Sequence, residues 1–588
     1  MFWDPVFAMA SRAVGAPPDQ LKLIFSLLIS YPLGSLFIRL PPSKPWISHV
    51  FSLTISTIFL VPLLGLGKGM LHLLLSSLGT YVIVTCLKGK KMPWIVFAGF
   101  ILGGTVTDSS HLKRSLLGVP STAIEITGSQ MVLVMKLSTF AWNIHDGRLK
   151  DDELDVFQKE TRLVTTPDLL AFLGYCFFFP GLLVGPSFDY VTYDALVHHR
   201  LYHNAPPGAS IEQAKAAKRR IPYGRKRVAY LHLVVGLCFL GIYATYGDKF
   251  DYSRVLSPSW NGWSWLERFG FVQMAGLLAR TKYYAVWSLS EGACILTGIG
   301  FNGYDAKTGR TLWNRVRNIN IRAIEAAGSF KMLFDSWNCR TNVWLRDAVY
   351  KRLTKKGRKP GTRESMATFL TSAFWHGIDP GYYLAFIMGG IFSSLGRQFH
   401  RFVRPYFLPT DGNAQTGFTK CIYDVLGWFV VVSSINYLVA PFLLLDLNNS
   451  LSAWSRMGWY GHIVAGLGVA FMSLGGRKML KNGLDNRKSR IPPSLKVSPP
   501  SPPAETVATL YPEDESDTKD LRWVKEALDS PSDSVDGEGV GMGVAISDHG
   551  ILDPLFDSGD TPGVTPGQTS KSMPGTTYDA DKVNPLQI

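Results

Sequence analysis

Val228-Ala-Tyr-Leu-His-Leu-Val-Val-Gly-Leu-Cys-Phe-Leu-Gly-Ile-Tyr-Ala-Thr-Tyr246 runs without a single Asp, Glu, Lys or Arg. A bilayer core about 30 Å thick takes about 20 predominantly apolar residues of helix to cross, so this run reads as a membrane span. The stretch just before it, Lys215–Arg227, is rich in Lys and Arg. The positive-inside rule places that loop in the cytosol. Working outward, comparable runs recur at Leu21–Leu40, Trp46–Leu66, Met70–Leu87, Pro93–Gly104, Gln130–Trp142, Leu169–Gly185, Phe269–Gly298, Thr368–His376, Tyr382–Leu395, Cys421–Leu445 and Trp454–Leu474. With 588 residues, 46% hydrophobic and only 18% charged, the chain is too apolar and too charge-poor for an ordinary soluble enzyme.

The expected fold is all-α: a polytopic transmembrane helical protein with roughly 10–11 membrane helices, some short or re-entrant. Pro93–Gly104 and Thr368–His376 are too short to cross alone, and each ends at Gly or just before a Gly/Pro cluster. Membranes tolerate such half-helices only where protein covers the backbone, so the fold is expected to enclose a chamber. Met1–Asp19 lacks a charged segment followed by an apolar core, so no cleaved signal peptide is visible. The domains expected are an N-terminal segment 1–19, a multi-span membrane domain 20–478 and an acidic, Pro/Ser-rich tail 479–588.

Charge separates that tail from the body. From Ile491 onward there are roughly 17 acidic against 6 basic residues, which leaves the preceding body at about +26 although the whole chain is +15. Such a composition cannot bury enough apolar surface to offset chain entropy, and disorder is expected, with a regulatory or partner-binding role. Basic clusters at Lys88–Lys91, Lys215–Arg227, Lys307–Arg363 and Arg477–Arg490 mark cytosolic loops, and the last puts the tail in the cytosol.

Within Lys307–Arg363, about 15 Lys and Arg against three acids alternate with Leu312, Trp313, Val316, Ile319, Ile324, Phe334, Trp337, Trp344, Leu345, Val349 and Leu353. Near-helical spacing predicts amphipathic helices at a membrane surface, serving anionic head groups or docking a polyphosphate ligand with an apolar tail. Its place between spans argues against nucleic acid. Neither a phosphate-binding G-x-x-x-x-G-K-[ST] loop nor a dinucleotide G-x-G-x-x-G is present, and the six cysteines are scattered without metal-ligand spacing.

Polar side chains inside apolar sequence are costly and mark candidate sites. In Ser336-Trp-Asn-Cys-Arg-Thr-Asn-Val-Trp-Leu-Arg346, read as a helix, Asn338, Thr341 and Asn342 share a face. In Phe374-Trp-His-Gly-Ile-Asp-Pro-Gly-Tyr382, His376 sits in apolar sequence, and Gly377, Pro380 and Gly381 break the chain behind it. A neutral imidazole near pH 7 can accept a proton from a hydroxyl, a step worth roughly 10²–10⁴-fold. A core histidine or a packing amide would account for either residue alone.

Together with Arg280-Thr-Lys-Tyr-Tyr284, these two stretches resemble motifs of the membrane-bound O-acyltransferases, in particular the lysophospholipid acyltransferase branch. Glu125-Ile-Thr-Gly-Ser-Gln130, Phe179-Pro-Gly-Leu-Leu-Val-Gly-Pro186, Ser290-Glu-Gly-Ala-Cys294 and Gly300-Phe-Asn-Gly303 extend the resemblance, which covers roughly Asp19–Gly475. It implies transfer of an acyl chain from acyl-CoA, as co-substrate and with no bound cofactor or metal, to the free hydroxyl of a lysophospholipid. His376 would be the general base and Asn338 its polar partner. Arg280, Lys282, Tyr283, Tyr284, Glu291, Thr341, Trp344, Arg346, Trp375 and Tyr382 would line or support the substrate site. Independently of the resemblance, Glu291, a carboxylate at the end of an apolar run, would either pair structurally with a nearby Arg or Lys or serve catalysis. The resemblance also implies an endoplasmic reticulum membrane location among lipid partners. Another acceptor (diacylglycerol, sterol or protein) and a non-enzymatic lipid transporter, with His376 as a proton relay, are the alternatives. None of the twelve histidines has Asp five positions on, so the His-x-x-x-x-Asp acyltransferase chemistry is excluded.

Overall fold

The computed structural model describes residues 3–99, 126–202, 221–305, 308–354, 361–408 and 418–489. Glu125, residues 100–104, 215–220 and 355–360, and the tail from 490 lie outside the described residues. Helices dominate, and the described residues hold only an isolated bridge, Tyr304 to Thr311, in place of a sheet. The long helices used below are α1 (Pro18–Phe37), α2 (Pro45–Ile58), α3 (Gly67–Cys86), α4 (Thr127–Asp146), α5 (Leu169–Cys176), α6 (Arg225–Tyr246) and α7 (Trp265–Thr297). After two short helices, α8 (Phe330–Ser336) and α9 (Cys339–Leu345), come α10 (Thr362–His376), α11 (Pro380–Phe402), α12 (Phe418–Leu444), α13 (Tyr460–Phe471) and α14 (Arg477–Ser489).

Among the described residues, six helical stretches are long and apolar enough to cross a membrane: Pro18–Phe37, Pro45–Leu63, Gly67–Cys86, Arg225–Tyr246, Phe418–Leu444 and Tyr460–Arg487. The roughly 10–11 membrane helices expected, some short or re-entrant, take in shorter and more buried helices beside these six. Leu169–Gly185 is not one span but α5 and a single turn, Phe179–Leu182, because Pro180 and Gly181 open a new helix start. Trp454–Leu474 is likewise divided, with Trp459 in a left-handed conformation (φ 53°) between two helices. α4 is long enough but buried nearly along its whole length. Residues 479–489, assigned on composition to the tail, form most of α14.

α7 is the central element. A capping box at Ser264 and Glu267 starts it, and Gly298, with φ 96°, ends it as a left-handed C-cap does. Small residues let neighbouring backbones close on it. A Cβ on Gly34 of α1 would stand 2.9 Å from the Ala293 carbonyl, and one on Gly236 of α6 would stand 2.7 Å from Leu289.

The basic segment differs from expectation. Residues 308–320 are largely non-helical, and beyond them the chain forms a series of short helices rather than surface-lying amphipathic ones. Trp313, Val316, Ile319, Ile324, Trp344, Leu345 and Val349 are all buried. Apolar spacing alone did not distinguish burial under lipid from burial under protein, and here protein covers these side chains.

Candidate active site

Two chain breaks face one chamber. α10 ends at His376 because Gly377 takes a positive φ of 150°, and Pro380 then starts α11, where a missing N–H costs nothing. α11 begins directly on the end of α12: the Gly381 N–H donates to the Leu445 carbonyl at 2.7 Å, and a Cβ there would collide with the Pro441 carbonyl. This docking brings Phe442 of α12 to the imidazole of His376, with ring centroids 5.0 Å apart, while Phe386 stacks on it at 5.2 Å and Tyr382 lies at 5.5 Å. His376 is half-buried. Among the described residues, none hydrogen-bonds its ring nitrogens.

The second break lies between α8 and α9. Ser336–Arg346 is not one helix: Asn338 sits in the left-handed region at φ 46°, ψ 53° and caps α9, a conformation that Asn accepts more readily than most residues. Asn338, Thr341 and Asn342 nevertheless all reach the same chamber as His376. It has a volume of about 540 Å³ and a mainly apolar wall, including Met131, Val132, Met135, Ile324, Leu438 and Val439.

Of the other residues expected at the site, Arg280, Tyr283, Trp375 and Tyr382 line this chamber. Arg280 is clamped as it does so, with Nε and Nη2 each 2.9 Å from the Glu325 carboxylate and Nη1 2.6 Å from Asn436 Oδ1. Trp375 donates its indole N–H to the Met131 carbonyl at 3.1 Å, which ties α10 to α4.

Five residues stand behind the wall. Tyr284 donates to Glu325 at 2.5 Å, and Lys282 lies over the rings of Tyr243 and Tyr283. Trp344 packs on Trp375 with its N–H 2.8 Å from Ser138 Oγ, and Arg346 pairs with Asp347 at 2.9 Å. Among the described residues Glu291 forms no ion pair with an Arg or Lys, contrary to the expected pairing; instead Oε2 accepts from the Asn318 backbone N–H at 3.0 Å, and Oε1 stands 3.7 Å from His232. Helix periodicity explains the sorting: Tyr283 and Tyr284 are neighbours in sequence but about 100° apart around α7, so only one can face the chamber.

Sequence reasoning missed Glu325, Asn436, Phe386 and Phe442. Asn436 carried a signal, being an amide inside the apolar run Cys421–Leu445. Glu325 carried a weaker one, as one of three acids in a strongly basic segment. A further charge deep in a run is Lys136, fully buried, whose Nζ donates to the Tyr175 carbonyl at 2.8 Å and lies 4.5 Å from the Phe188 ring.

The motif residues thus converge on one apolar chamber from helices far apart in sequence, and residues 116–440 match the description "MBOAT, membrane-bound O-acyltransferase family". The chain belongs to the membrane-bound O-acyltransferase family. It is a multi-pass membrane enzyme that transfers acyl groups to oxygen. The "Lysophospholipid acyltransferase" of Schizosaccharomyces pombe is 38% identical over 484 residues, covering 82% of this chain and 92% of that one. The Saccharomyces cerevisiae protein of the same name is 37% identical, covering 79% and 76%. The human "Membrane-bound glycerophospholipid O-acyltransferase 2" is 30% identical, covering 81% and 89%.

Proposed function

We propose that this chain is a lysophospholipid acyltransferase that uses acyl-CoA, with His376 as general base. The observation that carries the reading is the chamber: an imidazole held by aromatic rings and an asparagine amide, both delivered by chain breaks, inside a mainly apolar wall. An apolar wall accepts acyl chains, and few polar groups compete for the reacting atoms.

In the proposed reaction the lysolipid hydroxyl gives its proton to an imidazole nitrogen of His376 as its oxygen attacks the thioester carbonyl. The Asn338 amide N–H donates to the oxygen on which negative charge develops. The C–S bond breaks, CoA leaves as thiolate, and the imidazolium returns the proton to sulfur. No acyl-enzyme is needed, because a thioester is activated enough for direct attack by a positioned hydroxyl. The reading also places the enzyme in the endoplasmic reticulum membrane with the basic face and acidic tail in the cytosol, where acyl-CoA is supplied; positive-inside asymmetry supports that orientation.

Membranes containing the protein, given labelled acyl-CoA and a panel of lysolipids, should form diacyl phospholipid. His376→Ala should reduce the rate at least roughly 100-fold at equal protein abundance. Full activity in that variant would sink the mechanism, and acylation of a sterol or diacylglycerol but no lysolipid would sink the acceptor class.

A further inference from the structure

Glu291 is wholly buried in the interior of α7. Its Oε1 has no hydrogen-bond partner among the described residues, and His232 Nε2, at 3.7 Å, is beyond hydrogen-bond reach. A carboxylate kept in so apolar a place is costly. What it does hold is backbone: Oε2 accepts from the Asn318 N–H at 3.0 Å. The Asn318 carbonyl accepts in turn from the Cys339 N–H at 2.8 Å, and the Asn320 N–H donates to the Ser336 carbonyl at 3.0 Å. These two bonds close on either side of Trp337 and Asn338. Between them Asn338 adopts its left-handed conformation, which a non-glycine residue keeps only when its surroundings enforce it.

We propose that Glu291 is a positioning residue for Asn338: its carboxylate fixes segment 318–320, and that segment clamps the turn that presents the Asn338 amide to the chamber. The inference rests on the reading of Asn338 as the polar partner of His376. Glu291 lies outside the chamber wall, so its loss displaces the amide without removing a contact to the acyl donor. A small displacement of a group acting in the transition state slows turnover and leaves donor binding in place.

The test uses the full-length protein in membranes, with kcat and KM for acyl-CoA measured at equal abundance. Glu291→Ala is expected to lower kcat roughly 10–100-fold with KM within about twofold of the parent. Glu291→Gln keeps an acceptor for the Asn318 N–H and is expected to recover most of that loss. Where Glu291→Ala fails to accumulate, Glu291→Ser takes its place, being polar but too short to reach the amide. Added to Asn338→Ala, the same substitution should cost less than about a further twofold, because a residue acting through Asn338 has nothing left to position. Multiplying losses, or a Glu291→Ala (or Ser) kcat within about twofold of the parent, overturns the proposal. A parent-like rate in Asn338→Ala instead overturns the underlying reading of Asn338, whatever Glu291 does.

Discussion

His376 is held by rings, not by a charged partner. Phe386, Phe442 and Tyr382 leave the imidazole edge available to the chamber, which suits a group that must take and return one proton. Gly389 is the other residue of consequence on this wall. Tyr382, Ala385, Phe386 and Gly389 line the chamber from one stripe of α11, and the stripe extends about 10 Å along the helix axis from the histidine end. A Cβ at Gly389 would meet only Phe369 at 3.8 Å, Phe334 at 3.9 Å and Leu438 at 4.0 Å. Gly389→Ala should therefore be accepted, whereas Gly389→Leu projects into the space and shortens it. The expected outcome is a fall of roughly 10-fold in kcat/KM for a stearoyl donor relative to a lauroyl donor, measured with paired labelled acyl-CoAs. An unchanged ratio would mean that the acyl chain runs elsewhere.

Among the elements, α4 is tied to the region after α9 by one buried ion pair. Arg352 donates to both carboxylate oxygens of Asp146 at 2.7 and 2.5 Å, and its guanidinium lies 4.1 Å from the centre of the Trp142 ring. The Asp146 side chain is 1% exposed. Removing one partner strands the other, so Asp146→Ala should destabilise the fold by about 3–5 kcal/mol. A thermal-unfolding measurement in detergent should show the drop, and Asp146→Asn, which still accepts from the guanidinium, should show less of it. This pair is not legible in the sequence, because Asp146 closes α4, Arg352 lies in a short helix 206 residues further on, and neither falls in a motif. The central role of α7 is partly legible: the long apolar run Phe269–Gly298 and the motifs in its middle and towards its C-terminal end point to it. Periodicity cannot tell which of Lys282, Tyr283 and Tyr284 faces the chamber, since all three carry both an apolar body and a polar tip and so mark no polar face.

At the scale of the whole molecule, every residue placed at the chamber lies between Thr127 and Leu445, well before the acidic tail. Truncation after Arg490 should leave kcat and KM within about twofold of the full chain in the same membrane assay, since the tail follows every motif and every chamber residue in the chain; a large loss would give the tail a catalytic part. Hydropathy and charge asymmetry determined by themselves that this is a polytopic helical membrane protein, because membrane insertion depends on composition, while the acyltransferase expectation with His376 and Asn338 at issue came from the resemblance of the motifs to a family. Only the tertiary structure decided that Ser336–Arg346 breaks at Asn338, that Glu291 grips the backbone of Asn318 and that Glu325 and Asn436 clamp Arg280. Those outcomes depend on which neighbour satisfies each buried polar group, and such neighbours are assigned by packing between segments far apart in the chain.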